Sequence, residues 1–180
     1  APHRLIDVTD WDCDFLVCSA YKFFGPHVGV MYGRRELLEN LVPFKLRPAP
    51  DDLPGRWMTG TQNHEGIMGA MAAVDYLASL MPNVANRRKA LCQSMAAIEA
   101  YENELMAHLL DALCTLPSYT FYGITDSGRL AERVPTLSFT HTRFRPQELA
   151  QRLDEAGIFA WHGNYYAQPV TEALGIEPEG

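Results

Sequence analysis

Residues 18–35 read CSAYKFFGPHVGVMYGRR, and the reading of this stretch decides the fold. An apolar run, Phe15 to Cys18, leads into Ser19 and Lys22; Gly25-Pro26 signals a turn, and Val28 to Tyr32 is a second apolar run closed by Gly33. So short a connection predicts antiparallel neighbours, because a parallel crossover needs roughly a dozen residues or more. The unbroken apolar character of Phe15 to Cys18 predicts a strand buried on both faces. Lys22, with Lys45 and Lys89, completes the lysines of the chain, and it is flanked by Tyr21, Phe23 and Phe24. A lysine just past the C-terminal end of a buried strand stands where open α/β sheets bind their ligands. Aromatic neighbours that exclude water disfavour the ammonium, and the neutral amine is the form that attacks a carbonyl to make a Schiff base. The alternative is an ordinary strand-end lysine whose head stays in water.

Outward from this point the pattern stays mixed. Residues 4–8, RLIDV, predict a short strand, with Asp7 and Asp10 in or beside turns. Arg35 to Asn40 predict a short helix. Residues 43–57, PFKLRPAPDDLPGRW, hold Pro43, Pro48, Pro50 and Pro54 and predict an extended surface loop. Asn63 predicts a helix N-cap, with Ile67, Ala70, Met71, Val74, Tyr76 and Leu77 as a mostly helical apolar face before Pro82. Leu91, Met95, Ile98, Tyr101, Leu105, Leu109 and Leu113 recur at three- and four-residue steps and predict a long helix over 86–116. After Pro117 the expected order is strand 120–122, polar loop 125–132, strand 136–141, helix 146–156 and strand 158–161. Residues 1–85 are thus expected to belong to an α/β layer structure, and residues 86–180 to a connecting helix and a small α+β domain.

The bulk composition excludes several function classes. The chain has 180 residues, 47% of them hydrophobic and 21% charged, which is ordinary for a globular protein. Its formal charge is −7 and its basic residues never cluster beyond a pair, so nucleic acid and anionic membrane are not expected partners. No apolar run approaches the roughly 20 residues that span a bilayer. The cysteines, at 13, 18, 92 and 114, form no C-x-x-C, and the histidines form no H-x-x-x-H pair, so neither a disulfide framework nor a metal site is expected. A reducing, cytoplasmic compartment is the expectation. The chain begins at Ala1 rather than Met and ends on Glu177-Pro178-Glu179-Gly180, which reads as a piece of a longer chain.

A hydroxyl at Ser19 and the GTQN stretch, Gly60 to Asn63, add two candidate phosphate contacts, because a helix N-terminus with a nearby hydroxyl suits an anion. A lysine and two phosphate candidates together suggest a phosphorylated aldehyde cofactor. At this point a resemblance becomes specific. The stretch DCDFLVCSAYKFFGPHVGVMYGR resembles the cofactor-lysine segment of the class V aminotransferases, a family that includes cysteine desulfurases, selenocysteine lyases, isopenicillin N epimerase and kynureninase. RWMTGTQNHEGIMGAMAAVDYL and EAGIFAWHGNYYAQPV resemble two further segments of that family, in order and at matching spacing.

The resemblance implies a pyridoxal 5′-phosphate transferase of fold type I, with residues 1–85 the C-terminal part of its large α/β domain and 86–180 its small domain. It implies that Lys22 carries the cofactor as an aldimine and moves the proton at the α-carbon of an amino-acid substrate. It implies cofactor contacts from Ser19 and Tyr21, and a phosphate contact from Thr61 reaching the other subunit of a homodimer. Trp161, His162, Asn164 and Tyr165 fall on the substrate side. Trp161 stands where desulfurases carry a substrate-binding arginine, and Tyr166 where they carry the persulfide cysteine. Neither replacement performs that role, since tryptophan forms no bidentate pair with a carboxylate and a phenol holds no persulfide. The expectation is therefore a desulfurase- or selenocysteine lyase-like enzyme without the persulfide cysteine. The alternatives are an amino-acid epimerase or aminotransferase of the same family, or an inactive fragment acting as a binding module. The partner of the pyridine nitrogen would lie upstream of residue 1, so the chain alone is expected to bind the cofactor poorly.

Overall fold

The computed structural model describes residues 3–58 and 60–180, which divide into two compact units, 1–101 and 102–180. In the first unit, β1 (Phe15–Ser19) pairs antiparallel with β2 (Gly29–Gly33), in the register Phe15 with Gly33 through Ser19 with Gly29. The antiparallel pairing is the one the short connection requires. The pair stands alone as a two-stranded sheet among the described residues, and Val17 on β1 is 72% exposed, so β1 is not buried on both faces as its composition suggested. Arg34 locks the open end of the hairpin. Its backbone N–H reaches the Asp14 carbonyl at 3.0 Å, its Nε donates to the Cys13 carbonyl, and its guanidinium spans the carboxylates of Asp12 and Asp14.

The predicted short helix is present as α1 (Arg35–Asn40). The proline-rich segment is a loop that folds back on the end of α1. Arg56 donates to the carbonyls of Glu39 and Leu41 at 2.9 and 3.0 Å, and the Trp57 indole donates to that of Leu38 at 2.8 Å. A guanidinium on the last carbonyls of a helix satisfies orphan acceptors and complements the negative end of its dipole. Lys45, in the same loop, is held by Asp51 at 2.9 Å and by the Ala49 carbonyl.

Helix α2 (His64–Ser79) begins where the cap signal placed it, with the Asn63 side-chain oxygen accepting the Gly66 N–H at 2.9 Å. Its buried face is Gly66, Ala73 and Leu77. Gly69 lies against the turn that follows β1: a Cβ there would stand 2.9 Å from Pro26 Cγ, closer than real Cβ contacts come. Residues 4–8 form no strand; Asp7 instead accepts the Thr9 N–H and pairs with Arg88 at 2.9 Å.

Helix α3 (Arg87–Leu113) is the predicted long helix, burying Ala90, Ser94, Met95, Met106 and Leu110. In the second unit, β3 (Tyr119–Tyr122) and β4 (Ser138–His141) pair antiparallel, and Tyr119, Phe121, Phe139 and His141 share one face as an aromatic ladder. Helix α4 (Pro146–Glu155) follows, and Arg152 lies 4.4 Å from the centre of the Phe144 ring. The expected strand 158–161 is absent. The chain leaves α4 through Gly157 and runs as an exposed loop: the Ile158 N–H turns back to the Leu153 carbonyl at 2.8 Å and the Trp161 carbonyl takes the Tyr165 hydroxyl, so neither group joins a ladder. A helix that the periodicity did not disclose, α5 (Gln168–Leu174), follows that loop. No helix among the described residues is long and apolar enough to cross a membrane.

Two measurements check this packing in the full-length protein. Gly69→Ala should destabilise by about 1–3 kcal/mol in urea unfolding, the overpacking cost exceeding the roughly 1 kcal/mol that alanine gains over glycine in a helix interior. Asn63→Ala should cost about 1 kcal/mol through the lost cap, with Asn63→Asp close to the parent.

Candidate functional site

The segment holding Lys22 is the connection between β1 and β2, and it is built around one residue. Ala20 is fully buried. Its N–H donates to the Val28 carbonyl at 2.8 Å, and its carbonyl accepts the Gly25 N–H at 2.9 Å as well as the Phe24 N–H. Residues Ala20–Phe23 form a single 3-10 turn, closed by Phe24 in the left-handed region at φ 69. A non-glycine residue held there stores strain, which persists only where the surroundings over-determine it. Lys22 is thus presented from a short, hydrogen-bonded and strained turn rather than from a floppy loop.

The aromatic wall expected around Lys22 is not what the chain builds. Lys22 is exposed. The Phe24 ring has turned away to meet Tyr76 of α2 edge-on at 6.4 Å, while the Tyr21 ring lies 5.0 Å from that of His27. The left-handed turn at Phe24 is what swings that ring toward α2. The Lys22 ammonium lies 5.8 Å from the centre of the Tyr21 ring and, among the described residues, pairs with no carboxylate. Ser19, half-buried, ends β1 without spending its hydroxyl on a cap for the turn. Ser19, Tyr21 and Lys22 therefore stand together on one turn as a hydroxyl, a phenol and a primary amine. This donor set fits a phosphorylated aldehyde: an amine without an ion-pair partner for the carbonyl carbon, and hydroxyl groups for the phosphate.

Thr61 is exposed, on the approach to α2. The Gly66 N–H is taken by Asn63 and the His64 N–H by the Gln62 carbonyl at 3.0 Å, so the chain itself occupies these donors of the first turn. Asn63 acts as a cap.

In the second unit, Trp161 and His162 are exposed on the loop between α4 and α5, with Trp161 at 85% and Tyr166 fully in solvent. Tyr165 and Tyr166 are consecutive left-handed residues, φ 53 and 64. The Tyr165 hydroxyl donates to the Trp161 carbonyl, and partial burial pushes its ionisation above the ordinary 10.0, so this phenol stays protonated near neutrality. Asn164 is half-buried, and its side chain is committed to Glu177 and to the Tyr166 N–H rather than to solvent. Glu177, which accepts from Asn164, and Thr171, whose hydroxyl reaches the same carboxylate oxygen, are not disclosed by the sequence reading. Their signal was the pairing of Pro169 near a helix start with Gly175 and Pro178 past its end.

Comparison with known proteins bears directly on this arrangement. The aminotransferase class-V family model matches residues 1–179. The chain belongs to that family. A cysteine desulfurase from Pectobacterium carotovorum subsp. carotovorum (strain PC1) is 33% identical over 187 residues, covering 97% of this chain and 41% of the relative. One from Synechococcus elongatus is 30% identical, covering 97% of this chain and 27% of the relative. The apo structure of a cysteine desulfurase from Thermococcus onnurineus NA1 superposes with a TM-score of 0.79 at 25% identity, over 97% of this chain and 43% of that one. A cysteine desulfurase from Escherichia coli gives 0.74 at 26% identity, over 97% of this chain and 42% of that one. The chain thus spans about two fifths of the length of the solved relatives and of the first curated one. The fold class is that of these class V relatives, α/β of fold type I, as the resemblance implied.

The Tyr165 phenol offers a check on the loop. Carbon NMR of labelled tyrosine should find one ring, lost in Tyr165→Phe, that titrates above the ordinary 10.0. The unfolded phenol loses its proton first as pH rises, so the stabilisation is present below that value and is lost as pH climbs through the folded midpoint. A Tyr165 midpoint at or below the ordinary value would contradict the partial burial of that phenol in the loop.

Proposed function

We propose that this chain is the lysine-bearing part of a pyridoxal-phosphate enzyme that acts on an amino acid, with Lys22 as the residue that holds the cofactor. The observation that carries the reading is the turn itself: a primary amine that, among the described residues, has no ion-pair partner, one helical turn beyond a strand, fixed by the buried Ala20 in a chain of the class V family. When bound, the cofactor supplies an electron sink for charge developing at the substrate α-carbon. Lys22 binds the cofactor's aldehyde carbon and afterwards, as a free amine, takes and returns the proton at the substrate α-carbon. Ser19 and Tyr21 hold the phosphate, and Thr61 reaches the cofactor of a second subunit in a homodimer. The loop bearing Trp161, His162 and Tyr165 lies on the substrate side.

Within this reading, the chemistry is that of a cysteine desulfurase or selenocysteine lyase that works without a loop persulfide. Tyr166 stands fully exposed where the resemblance sets that cysteine, and Cys13, Cys18, Cys92 and Cys114 all lie outside residues 158–167. The same observation favours a second reading, amino-acid epimerisation or transamination, since these need a proton carrier but no sulfur carrier.

Borohydride reduction of the full-length protein should fix a pyridoxyl group on the peptide containing Lys22, seen by mass spectrometry, and Lys22→Ala should lose both the label and the visible cofactor band. A label on Lys45 or Lys89, or a Lys22→Ala protein that keeps the band, contradicts the assignment. Sulfide or selenide release marks the lyase; α-deuteration of amino acids in heavy water with neither product marks the second reading.

A further inference from the structure

Consecutive left-handed tyrosines need something to hold them. Each such residue costs on the order of 1 kcal/mol or more relative to ordinary backbone, and Tyr165 and Tyr166 gain little from burial, at 58% and 103% exposure. The restraint lies beneath the loop, in side chains that come from three places along the chain. Helix α5 ends with Gly175 at φ 70, its N–H on the Glu172 carbonyl at 3.0 Å and the Ile176 N–H on the Thr171 carbonyl at 3.1 Å. This paired closure requires the left-handed residue that glycine supplies, and it reverses the chain. The reversal brings Glu177 back against the helix. There Asn164 Nδ2 donates to Glu177 Oε1 at 3.2 Å, and the hydroxyl of buried Thr171 reaches the same oxygen. The Thr171 hydroxyl also lies 3.0 Å from the Gln168 carbonyl. It has one proton to give, and the carboxylate is the stronger acceptor.

A carboxylate accepts and does not donate, so Glu177 fixes which way the Asn164 amide points. The nitrogen faces Glu177, and the oxygen is left to accept the Tyr166 N–H at 3.2 Å, while the Asn164 carbonyl takes the Ala167 N–H at 2.7 Å. We propose that Glu177 is the positioning residue of the 161–166 loop: through Asn164 it holds the Tyr165–Tyr166 pair left-handed and so sets how Trp161 and Tyr165 meet the amino-acid substrate. Asn164 then serves beneath the loop rather than against the substrate. The proposal rests on the reading of this loop as the substrate side of a pyridoxal-phosphate enzyme.

The test compares Glu177→Ala, Glu177→Gln and Thr171→Val with the parent in the full-length holoprotein. Glutamine keeps an oxygen that accepts from Asn164 and Thr171; alanine strands both donors; valine removes one of them at similar volume. Fluorine NMR of fluorotryptophan-labelled protein, with the Trp161 resonance assigned by its loss in Trp161→Phe, reads the loop directly. Titration of L-cysteine, L-alanine and L-phenylalanine against the cofactor band reads substrate binding. Glu177→Ala should shift or broaden the Trp161 resonance and weaken amino-acid binding roughly tenfold, with cofactor labelling on Lys22 unchanged. Glu177→Gln should restore both readouts, and Thr171→Val should fall between. A Trp161 resonance that stays put in Glu177→Ala, or a Glu177→Gln protein as impaired as the alanine variant, overturns the proposal. Absence of a cofactor band in the parent overturns the cofactor reading alone, and the Trp161 resonance still decides whether Glu177 positions the loop.

Discussion

The first unit depends on the burial of Ala20. Its N–H and carbonyl fix both ends of the connection between β1 and β2, and its methyl group is fully buried. Because that turn is closed by backbone hydrogen bonds, the residue two positions on is presented in one orientation. The cost is strain at Phe24, offset by the Phe24–Tyr76 ring contact with α2 and by the close approach of Gly69 to Pro26. A two-stranded hairpin is marginal in isolation, so this support from α2 is part of what makes the turn a fixed platform.

The second unit solves a similar problem differently. Helices α4 and α5 each end on glycine followed by isoleucine, with Ile158 returning to the Leu153 carbonyl and Ile176 to that of Thr171. The first closure sends the chain into the exposed aromatic loop; the second brings Glu177 back beneath it. Polar side chains, rather than an apolar core, then hold the loop. This is consistent with a segment whose aromatic groups face outward: a loop that cannot use hydrophobic burial for its own rigidity must use hydrogen bonds whose donors and acceptors are matched. The β3–β4 ladder shows the same economy, with the His141 Nδ1 accepting the backbone N–H groups of Arg143 and Phe144 at the entry to α4.

Much of this was legible in the residues. The antiparallel hairpin followed from the length of its connection, α1 and the N-cap of α2 from local signals, and α3 from an apolar repeat sustained over many turns. The strand at 158–161 was misread because β-propensity says nothing about whether a neighbour is free to pair. Helix α5 is too short for its periodicity to show in the residues, and its local signals are Pro169 at its start and Gly175 past its end. Lys22 stands just past β1, where the apolar run placed it, but not in the surroundings its neighbours suggested. Sequence proximity to Tyr21, Phe23 and Phe24 does not say where their rings point, and a single left-handed residue redirected one of them.

The sequence by itself determined the family, the place of Lys22 at the end of a strand, and the presence of Trp161 and Tyr166 in the loop between α4 and α5. These are matters of residue identity and spacing, which a linear string records completely. Only the tertiary structure decided that Lys22 stands exposed and that Asn164 turns inward to Glu177 across thirteen residues of chain. Each of those depends on a change of chain direction, at Phe24 or at Gly175, which decides where side chains point and brings together groups whose separation along the sequence gives no hint of their contact.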